Sequence, residues 1–145
     1  KKTIKNVCSK SLGIVAIDEN DKEMVFNLVT KNSTVPLEVT KEFGTYKANQ
    51  EKINVRVMEN EVNDETIPPE NAVEIEKDLM AIPPGLPANS PIEVTFRLNE
   101  EGRLDIKAVE TTGNQVMEIT IQTESLLRGK GLDDAIENSR ALVVI

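Results

Sequence analysis

Apolar and polar residues alternate along much of the chain, and this alternation is the main structural signal. In the segment 92–98 (IEVTFRL), every second residue is apolar, which places these apolar side chains on one face of a β-strand. The segments 104–108 and 117–121 repeat the period, and polar residues typical of turns separate the runs at 99–102 and 111–114. These segments predict three consecutive antiparallel strands.

The amino-terminal half carries similar signals. Apolar residues alternate at 53–57, and two apolar runs at 12–17 and 24–29 flank a polar turn at 18–22. The segment 82–87 (IPPGLP) interrupts the pattern and predicts a stiff connector, because proline has no backbone N–H to donate within a sheet. Many short strands with one buried face each predict a mainly β fold, namely a two-layer antiparallel β-sandwich.

The period changes after Thr123. The residues that then follow a helical spacing are Leu132, Ile136, Ser139 and Val143. The adjacent acids at 133–134 suit a helix N-terminus. We therefore predict a β-sandwich over residues 1–122 and the start of a short C-terminal helical segment over 123–145.

Composition and charge narrow the classes of function. The chain has 145 residues, which favours a single domain, and its net charge of −8 argues against nucleic acid as a partner, because Lys and Arg supply most nucleic-acid affinity. It has no histidine and a single cysteine, which excludes Ser-His-Asp triads, Cys–His pairs, cysteine-cluster zinc sites and an intrachain disulfide. No apolar run is long enough to cross a membrane, and a disulfide-free chain fits the cytoplasm, where we expect the protein.

Three features could carry chemistry, and each also has a structural interpretation. The acidic segment 18–23 lacks the ligand and glycine positions of a calcium loop, so we interpret it as a hairpin turn. Cys8 has no histidine to act as its base, so we interpret it as a buried structural residue. Nothing fixes a separation between carboxyl groups in the acidic segment 59–65, which favours a charged loop. We therefore predict neither catalysis nor a metal site.

The segment 43–46 (FGTY) supports two interpretations. It contains Phe43 and the only tyrosine of the chain, Tyr46. In the first interpretation it is a strand edge that leads to the strand at 53–57, with Phe43 in the core. In the second it borders a groove in which an exposed strand edge and apolar pockets accept an extended peptide.

Several short segments together form an ordered set. The most specific is 82–84 (IPP) followed by 91–96 (PIEVTF), and the others are SLGI at 11–14, KNSTVP at 31–36, FGTY at 43–46, NQ at 49–50, NEEGRL at 99–104 and ITI at 119–121. In content and order these segments resemble the peptide-binding β-domain of DnaK-type chaperones, the heat-shock 70 kDa family. Each segment alone is weak evidence, whereas the ordered set from Val7 to Ile121 is specific.

The resemblance implies a two-layer antiparallel sandwich, in agreement with the alternation, and a cleft that holds a short extended apolar segment of an unfolded protein. It implies a central pocket for one apolar side chain, lined by Ile14, Phe43, Ile53, Val55 and Ile92. It implies an arch over the peptide backbone, formed by Ile17 and Tyr46. The resemblance places Ala16, Gly44 and Gln50 beside that backbone.

The expected function is that of a chaperone's substrate-binding domain, in protein folding and the stress response, without catalysis in this chain. The resemblance implies ATP and Mg²⁺ only on a nucleotide-binding domain outside the chain. Asn6 and Ala48 stand where the family commonly has aspartates, and the segment 123–145 is shorter than the family's helical lid, so we expect a divergent, lid-truncated fragment. The alternative is a β-sandwich adaptor or scaffold module with one fixed protein partner.

The apolar segment 141–145 (ALVVI) has the character of a peptide that such a groove would accept. We expect it to enter the groove of a neighbouring molecule and to cause self-association. An exposed tail that only frays is the alternative.

Overall fold

The computed structural model describes residues 6–124 and 126–128. This part of the chain contains eleven β-strands and one 3-10 turn, at Pro69–Asn71. The strands are β1 (Asn6–Cys8), β2 (Ser11–Ile17), β3 (Glu23–Val29), β4 (Leu37–Gly44), β5 (Lys52–Asn60), β6 (Thr66–Ile67), β7 (Val73–Ala81), β8 (Pro91–Leu98), β9 (Arg103–Glu110), β10 (Gln115–Gln122) and β11 (Leu126–Arg128).

The strands form two main antiparallel sheets. One sheet has five strands in the order β6-β3-β2-β5-β7, and the other has four in the order β10-β9-β8-β4. Strands β8, β9 and β10 are consecutive neighbours, which confirms the three antiparallel strands predicted from the alternation. A further two-stranded sheet pairs β1 with β11. The predicted two-layer antiparallel β-sandwich is confirmed.

The inner faces of the two sheets share one apolar core. The four-stranded sheet contributes Phe96, Leu98 and Leu104, and the five-stranded sheet contributes Leu12 and Val57, all of them fully buried. Burial of one such side chain stabilises the fold by about 1.5–3 kcal/mol. Because alternate residues of β8 and β9 point into this core, the period of two in the sequence is a direct consequence of the packing.

Strands β4 and β7 were not predicted from the pattern. In β4, Lys41 takes an inward position that the alternation reserves for apolar residues. In β7, most side chains are exposed, and a register shift opposite Val57 and Met58 breaks the period. Pairing with β8 and with β5, rather than a local pattern, therefore establishes these two strands.

The C-terminal segment begins differently from its prediction. Leu126–Arg128, which lies in the segment 123–145 predicted to start a helical stretch, forms β11 and pairs with β1. Leu126 also packs against the apolar core. Strand pairing and burial therefore extend past the boundary drawn at residue 122. The helical spacing at 132–143 lies outside the described residues.

The structural interpretations of the polar turn and of the cysteine are confirmed. Residues 18–22 form the β2–β3 hairpin turn and Glu23 begins β3. In the turn, Asp18 Oδ1 accepts hydrogen bonds from the N–H groups of Asn20 and Lys22, each at 2.9 Å. Cys8 is fully buried, and this burial raises the pKa of its thiol to about 11. The thiol is therefore protonated at neutral pH and is a poor nucleophile.

Residues 61–65 of the acidic segment 59–65 form a charged loop, as predicted, whereas Glu59 and Asn60 are the last two residues of β5. The neighbouring strands hold this loop in place. Glu61 forms an ion pair with Lys31 at 3.1 Å. The Asn27 side-chain amide, on β3, donates to the backbone carbonyl of Asp64 at 2.9 Å.

Among the strands that the structure describes, β7 is the last of its sheet, and its own carboxylates cover its outer edge. The N–H of Lys77 donates to Glu76 Oε1 at 3.0 Å, and the N–H of Leu79 donates to Asp78 Oδ1 at 2.8 Å. Alternate N–H groups of an edge strand point away from the neighbouring strand, where they offer a template for another chain. We expect the double variant Glu76→Val/Asp78→Val to expose these donors and to associate with increasing concentration, as measured by analytical ultracentrifugation.

A matched control separates edge exposure from added hydrophobicity. Glu93 and Lys107 are exposed on the central strands β8 and β9, where both edges of each strand are already paired. The double variant Glu93→Val/Lys107→Val should stay monomeric over the same concentrations. Equal association of both double variants would show that the carboxylates of β7 have no special role.

Glu110 is a fully buried carboxylate at the end of β9. Its Oε2 and Oε1 accept hydrogen bonds from the N–H groups of Thr112 and Gly113, at 2.7 and 2.6 Å. Burial alone would raise the pKa of Glu110, but these backbone hydrogen bonds outweigh it and hold the pKa below its usual value of 4.5. The charged carboxylate therefore stabilises the folded state above about pH 4.5, and this contribution is lost as the pH falls further.

Replacing Glu110 with glutamine should lower the melting temperature at pH 7 by roughly 3–8 °C, because a buried amide cannot serve both N–H donors as a carboxylate does. The difference from the parent chain should shrink as the pH falls below 4.5, where the parent loses the same contribution. Thermal unfolding followed by circular dichroism measures both effects. Glu118→Gln, at an exposed site on the neighbouring strand, is the control. A difference that stays constant with pH would contradict this role of Glu110.

Candidate functional site

A cavity of about 530 Å³ opens where several strand ends meet at one end of the sandwich. The C-terminal parts of β2 and β4 and the N-terminal parts of β3, β5 and β8 contribute to its walls. The structure brings all of the predicted site residues to this one cavity, namely Ile14, Ala16, Ile17, Phe43, Gly44, Tyr46, Gln50, Ile53, Val55 and Ile92. Their assignment as peptide contacts stays a prediction.

The floor of the cavity is apolar because inward positions of several strands converge there. Ile14 of β2, Val55 of β5 and Ile92 of β8 are buried, whereas Ile53 is only partly buried and packs against the same core. The β4–β8 pairing places Phe43 directly opposite Ile92. The floor is thus continuous with the core, and an apolar side chain that entered the cavity would contact it.

Phe43 fits both interpretations of its segment, because it packs against the core and also lines the cavity. Its ring lies 5.9 Å from the ring of Phe26 in an edge-to-face arrangement. Lys41 Nζ lies 5.9 Å from the centre of each ring and 3.8 Å from Glu65. Phe26 and Lys41 line the cavity but were not predicted to do so. The sequence did contain a signal for Lys41, because a residue two positions before Phe43 in a strand lies on the same face as Phe43.

The ladder between β2 and β5 ends before either strand does. Its last pair joins Ile14 to Val57, although β2 continues to Ile17 and β5 begins at Lys52. On its other side, β2 stays paired with β3 as far as Ile17. Residues 15–17 line the cavity, so a strand edge that no other described strand pairs with lies at its mouth. Such an edge offers backbone N–H and C=O groups to an extended chain.

Two loops frame the cavity mouth, and their side chains meet. Ile17, at the end of β2, is 38% exposed, and Tyr46, in the β4–β5 loop, is 55% exposed. The hydroxyl of Tyr46 donates a hydrogen bond to Asp21 Oδ1, in the β2–β3 loop, at 2.9 Å. This hydrogen bond and the negative charge of Asp21 raise the pKa of the Tyr46 phenol. The phenol is therefore a neutral donor at physiological pH.

The Gln50 side chain lies on the cavity wall and holds its own loop in shape. Its Oε1 accepts hydrogen bonds from the N–H groups of Tyr46 and Lys47, at 3.0 and 3.2 Å, and its Nε2 donates to the carbonyl of Lys52 at 2.9 Å. These bonds fix the backbone beneath Tyr46.

The β4–β5 loop is also hydrogen-bonded to the segment 82–90, which joins β7 to β8 and includes the proline-rich connector at 82–87. The N–H of Thr45 donates to the carbonyl of Ser90 at 3.0 Å, and the N–H of Asn89 donates to the carbonyl of Thr45 at 2.8 Å. Further along, the N–H of Asn49 donates to the carbonyl of Leu86 at 2.8 Å. The predicted stiff connector therefore serves as a support for one wall of the cavity.

Acidic side chains outnumber basic ones around the cavity. The acids are Asp18, Asp21, Glu23 and Glu42, and the bases are Lys41 and Arg56. Arg56 is engaged in ion pairs with Glu74 at 2.7 Å and Glu23 at 3.7 Å. The mouth therefore has an excess of negative charge, which opposes the approach of acidic ligands.

Among the described residues, no cluster of His, Cys, Asp and Glu side chains could hold a metal ion. The same part of the chain contains no helix long and apolar enough to cross a bilayer.

The fold and the site together define a β-sandwich domain with a cavity that has an apolar floor and a mouth framed by two loops. A family model described as Hsp70 protein matches residues 2–142, and the chain belongs to this family. The resemblance drawn from the ordered segments is thereby confirmed.

Two relatives illustrate the similarity. The chain is 31% identical over 115 residues to the chaperone protein DnaK of Halobacterium salinarum, an alignment that covers 79% of this chain and 18% of that protein. It is 29% identical over 119 residues to the heat shock cognate 70 kDa protein 3 of Dictyostelium discoideum, covering 82% of this chain and 18% of that protein. The chain thus spans about 18% of the length of the relatives it matches.

Proposed function

We propose that this chain is the peptide-binding domain of an Hsp70-type chaperone and holds short extended apolar segments of unfolded proteins. The observation that carries the proposal is the early end of the β2–β5 ladder. Among the described strands, it leaves the β5-facing edge of residues 15–17 unpaired beside a cavity of about 530 Å³ with an apolar floor. An extended peptide needs both features, because its backbone requires partners and its apolar side chain requires a pocket.

This arrangement suits binding with little dependence on sequence. Each backbone hydrogen bond contributes about 0.5–1.5 kcal/mol whatever the side chain. One leucine or isoleucine buried in the cavity adds about 1.5–3 kcal/mol and sets the register of the peptide. After the entropic costs of ordering the peptide, a micromolar dissociation constant, near −8 kcal/mol, is the expected outcome.

The proposal is tested by titrating a labelled leucine-centred heptapeptide with the chain and following fluorescence anisotropy. A matched peptide with serine in place of leucine is the control. We expect saturable micromolar binding of the first and none of the second. Absence of binding by a folded chain would overturn the proposal.

A panel of unrelated leucine-containing peptides then distinguishes a chaperone from an adaptor. Comparable affinity across the panel supports the chaperone domain, whereas binding of one peptide alone supports a module with one fixed partner. For the whole protein, we propose that ATP and Mg²⁺ bind outside this chain, and that this chain has no catalysis of its own. An ATPase assay of this chain tests the second point, and measurable turnover would contradict it.

A further inference from the structure

We infer that Asp21 positions Tyr46 over the groove, and that the hydrogen bond between them is a clasp that controls how fast a bound peptide exchanges. The inference deepens the proposed function and rests on it. It starts from one contact, the 2.9 Å hydrogen bond from the Tyr46 hydroxyl to Asp21 Oδ1. This contact joins the β2–β3 loop to the β4–β5 loop, which frame the mouth of the same cavity.

The bases of both loops are held, so the clasp joins two supported walls. On one side, Asp18 Oδ1 accepts two hydrogen bonds at 2.9 Å within the β2–β3 turn. On the other side, Gln50 Oε1 accepts the N–H of Tyr46 at 3.0 Å. Tyr46 is 55% exposed, so packing alone does not determine where its ring points. A charge-assisted hydrogen bond to Asp21 supplies that constraint.

The backbone at Asp21 is suited to this role. Its φ angle is 65°, in the left-handed region that aspartate and asparagine tolerate better than most residues. A short side chain on this left-handed turn residue reaches the Tyr46 hydroxyl. Asp21→Asn therefore keeps the backbone and an acceptor oxygen but removes the charge. Asp21→Gly keeps the backbone conformation and removes the acceptor altogether.

The existence of the clasp can be tested without any peptide. Tyr46 is the only tyrosine and the chain has no tryptophan, so the ultraviolet absorbance change of phenolate formation reports this residue alone. Asp21 raises the pKa of Tyr46, and we expect Asp21→Asn and Asp21→Gly to lower that pKa towards its ordinary value. Glu19→Gln, which removes an exposed charge from the same loop away from the cavity, should not lower it. An identical titration in all variants would overturn the clasp.

Its role in exchange is tested by stopped-flow binding of the leucine-centred heptapeptide. Opening the clasp should raise both the association and the dissociation rate constants, by about three- to tenfold in Tyr46→Phe. Asp21→Gly should raise both rate constants to the same extent, and the double variant Tyr46→Phe/Asp21→Gly should raise them no further. The rate constants of Asp21→Asn should lie between those of Asp21→Gly and those of the parent chain. Additive effects of the two single variants would overturn the coupling.

The two proposals fail in different ways. If the parent chain binds no peptide although its tyrosine titration reveals the clasp, the peptide-binding function is overturned and the role in exchange falls with it. If the parent chain binds peptide and Tyr46→Phe leaves both rate constants unchanged, the clasp has no role in exchange and the peptide-binding function stands.

Discussion

Replacing Ile53 with aspartate lowers the affinity for a leucine-centred peptide by at least about 100-fold, because a charge in an apolar cavity costs several kcal/mol unless it is paired. Ile53 begins the inward face of β5 and is only partly buried. Its substitution therefore acts on the cavity more than on the deep core. The aspartate would face the apolar side chain of the peptide beside Ile14 and Val55. Anisotropy titration of the variant against the parent chain measures the loss.

Leu79→Asp is the matched control for this variant. Leu79 pairs with Asn54 on the neighbouring strand, is 59% exposed and lies outside the cavity. Leu79→Asp introduces the same charge on the neighbouring strand, opposite the residue that follows Ile53. The affinity for the peptide should stay within about twofold of that of the parent chain. Thermal unfolding of both variants checks that each is folded. Peptide binding by folded Ile53→Asp at the affinity of the parent chain would place the peptide elsewhere.

Replacing Gly13 with alanine destabilises the fold by about 3 kcal/mol or more, which corresponds to a fall in melting temperature of roughly 6–12 °C. A Cβ at this position would overlap the carbonyl oxygen of Phe26. It would also lie 2.8 Å from the carbonyl carbon of Phe26 and 2.9 Å from Asn27 Cα. These atoms are backbone atoms of β3, which cannot turn away as a side chain can. The register of β2 and β3 also shifts between Leu12 and Gly13, so this close approach is part of the strand pairing.

Gly85→Ala separates a steric cost from a conformational one. Gly85 has a φ angle of 82°, but among the described residues beyond its two chain neighbours no atom lies within 4 Å of an added Cβ. Its substitution should therefore cost only about 1–2 kcal/mol. Chemical denaturation of both variants measures the two costs on one scale. A loss for Gly13→Ala no larger than that for Gly85→Ala would mean that β2 and β3 do not approach as closely as described.

Local pattern was sufficient for the strands whose alternate residues are all apolar. In β8 the inward residues are Ile92, Val94, Phe96 and Leu98, and each of them is buried. It was insufficient where an inward position is polar, as at Lys41, or where a bulge shifts the period, as opposite Val57. The strand Leu126–Arg128 shows the same limit, because its partner β1 lies far away in the sequence.

Part of the candidate site could be predicted from the sequence and part could not. The predicted residues were identified through ordered segments that resemble a family, and the structure gathers them around one cavity. Phe26 and the Tyr46–Asp21 hydrogen bond were not identified in this way. They depend on loops that are distant along the chain and adjacent in space.

The class of fold, the consecutive strands β8 to β10 and the segments that identify the family can all be inferred from the amino-acid sequence. These properties follow from local alternation and from the order of short motifs, both of which can be read along the chain. Three features require the folded chain, namely the pairing of β1 with β11, the edge of residues 15–17 that no described strand pairs with, and the hydrogen bond from Tyr46 to Asp21. Each depends on the relative position of segments that are distant in sequence, and packing of the two sheets sets that position.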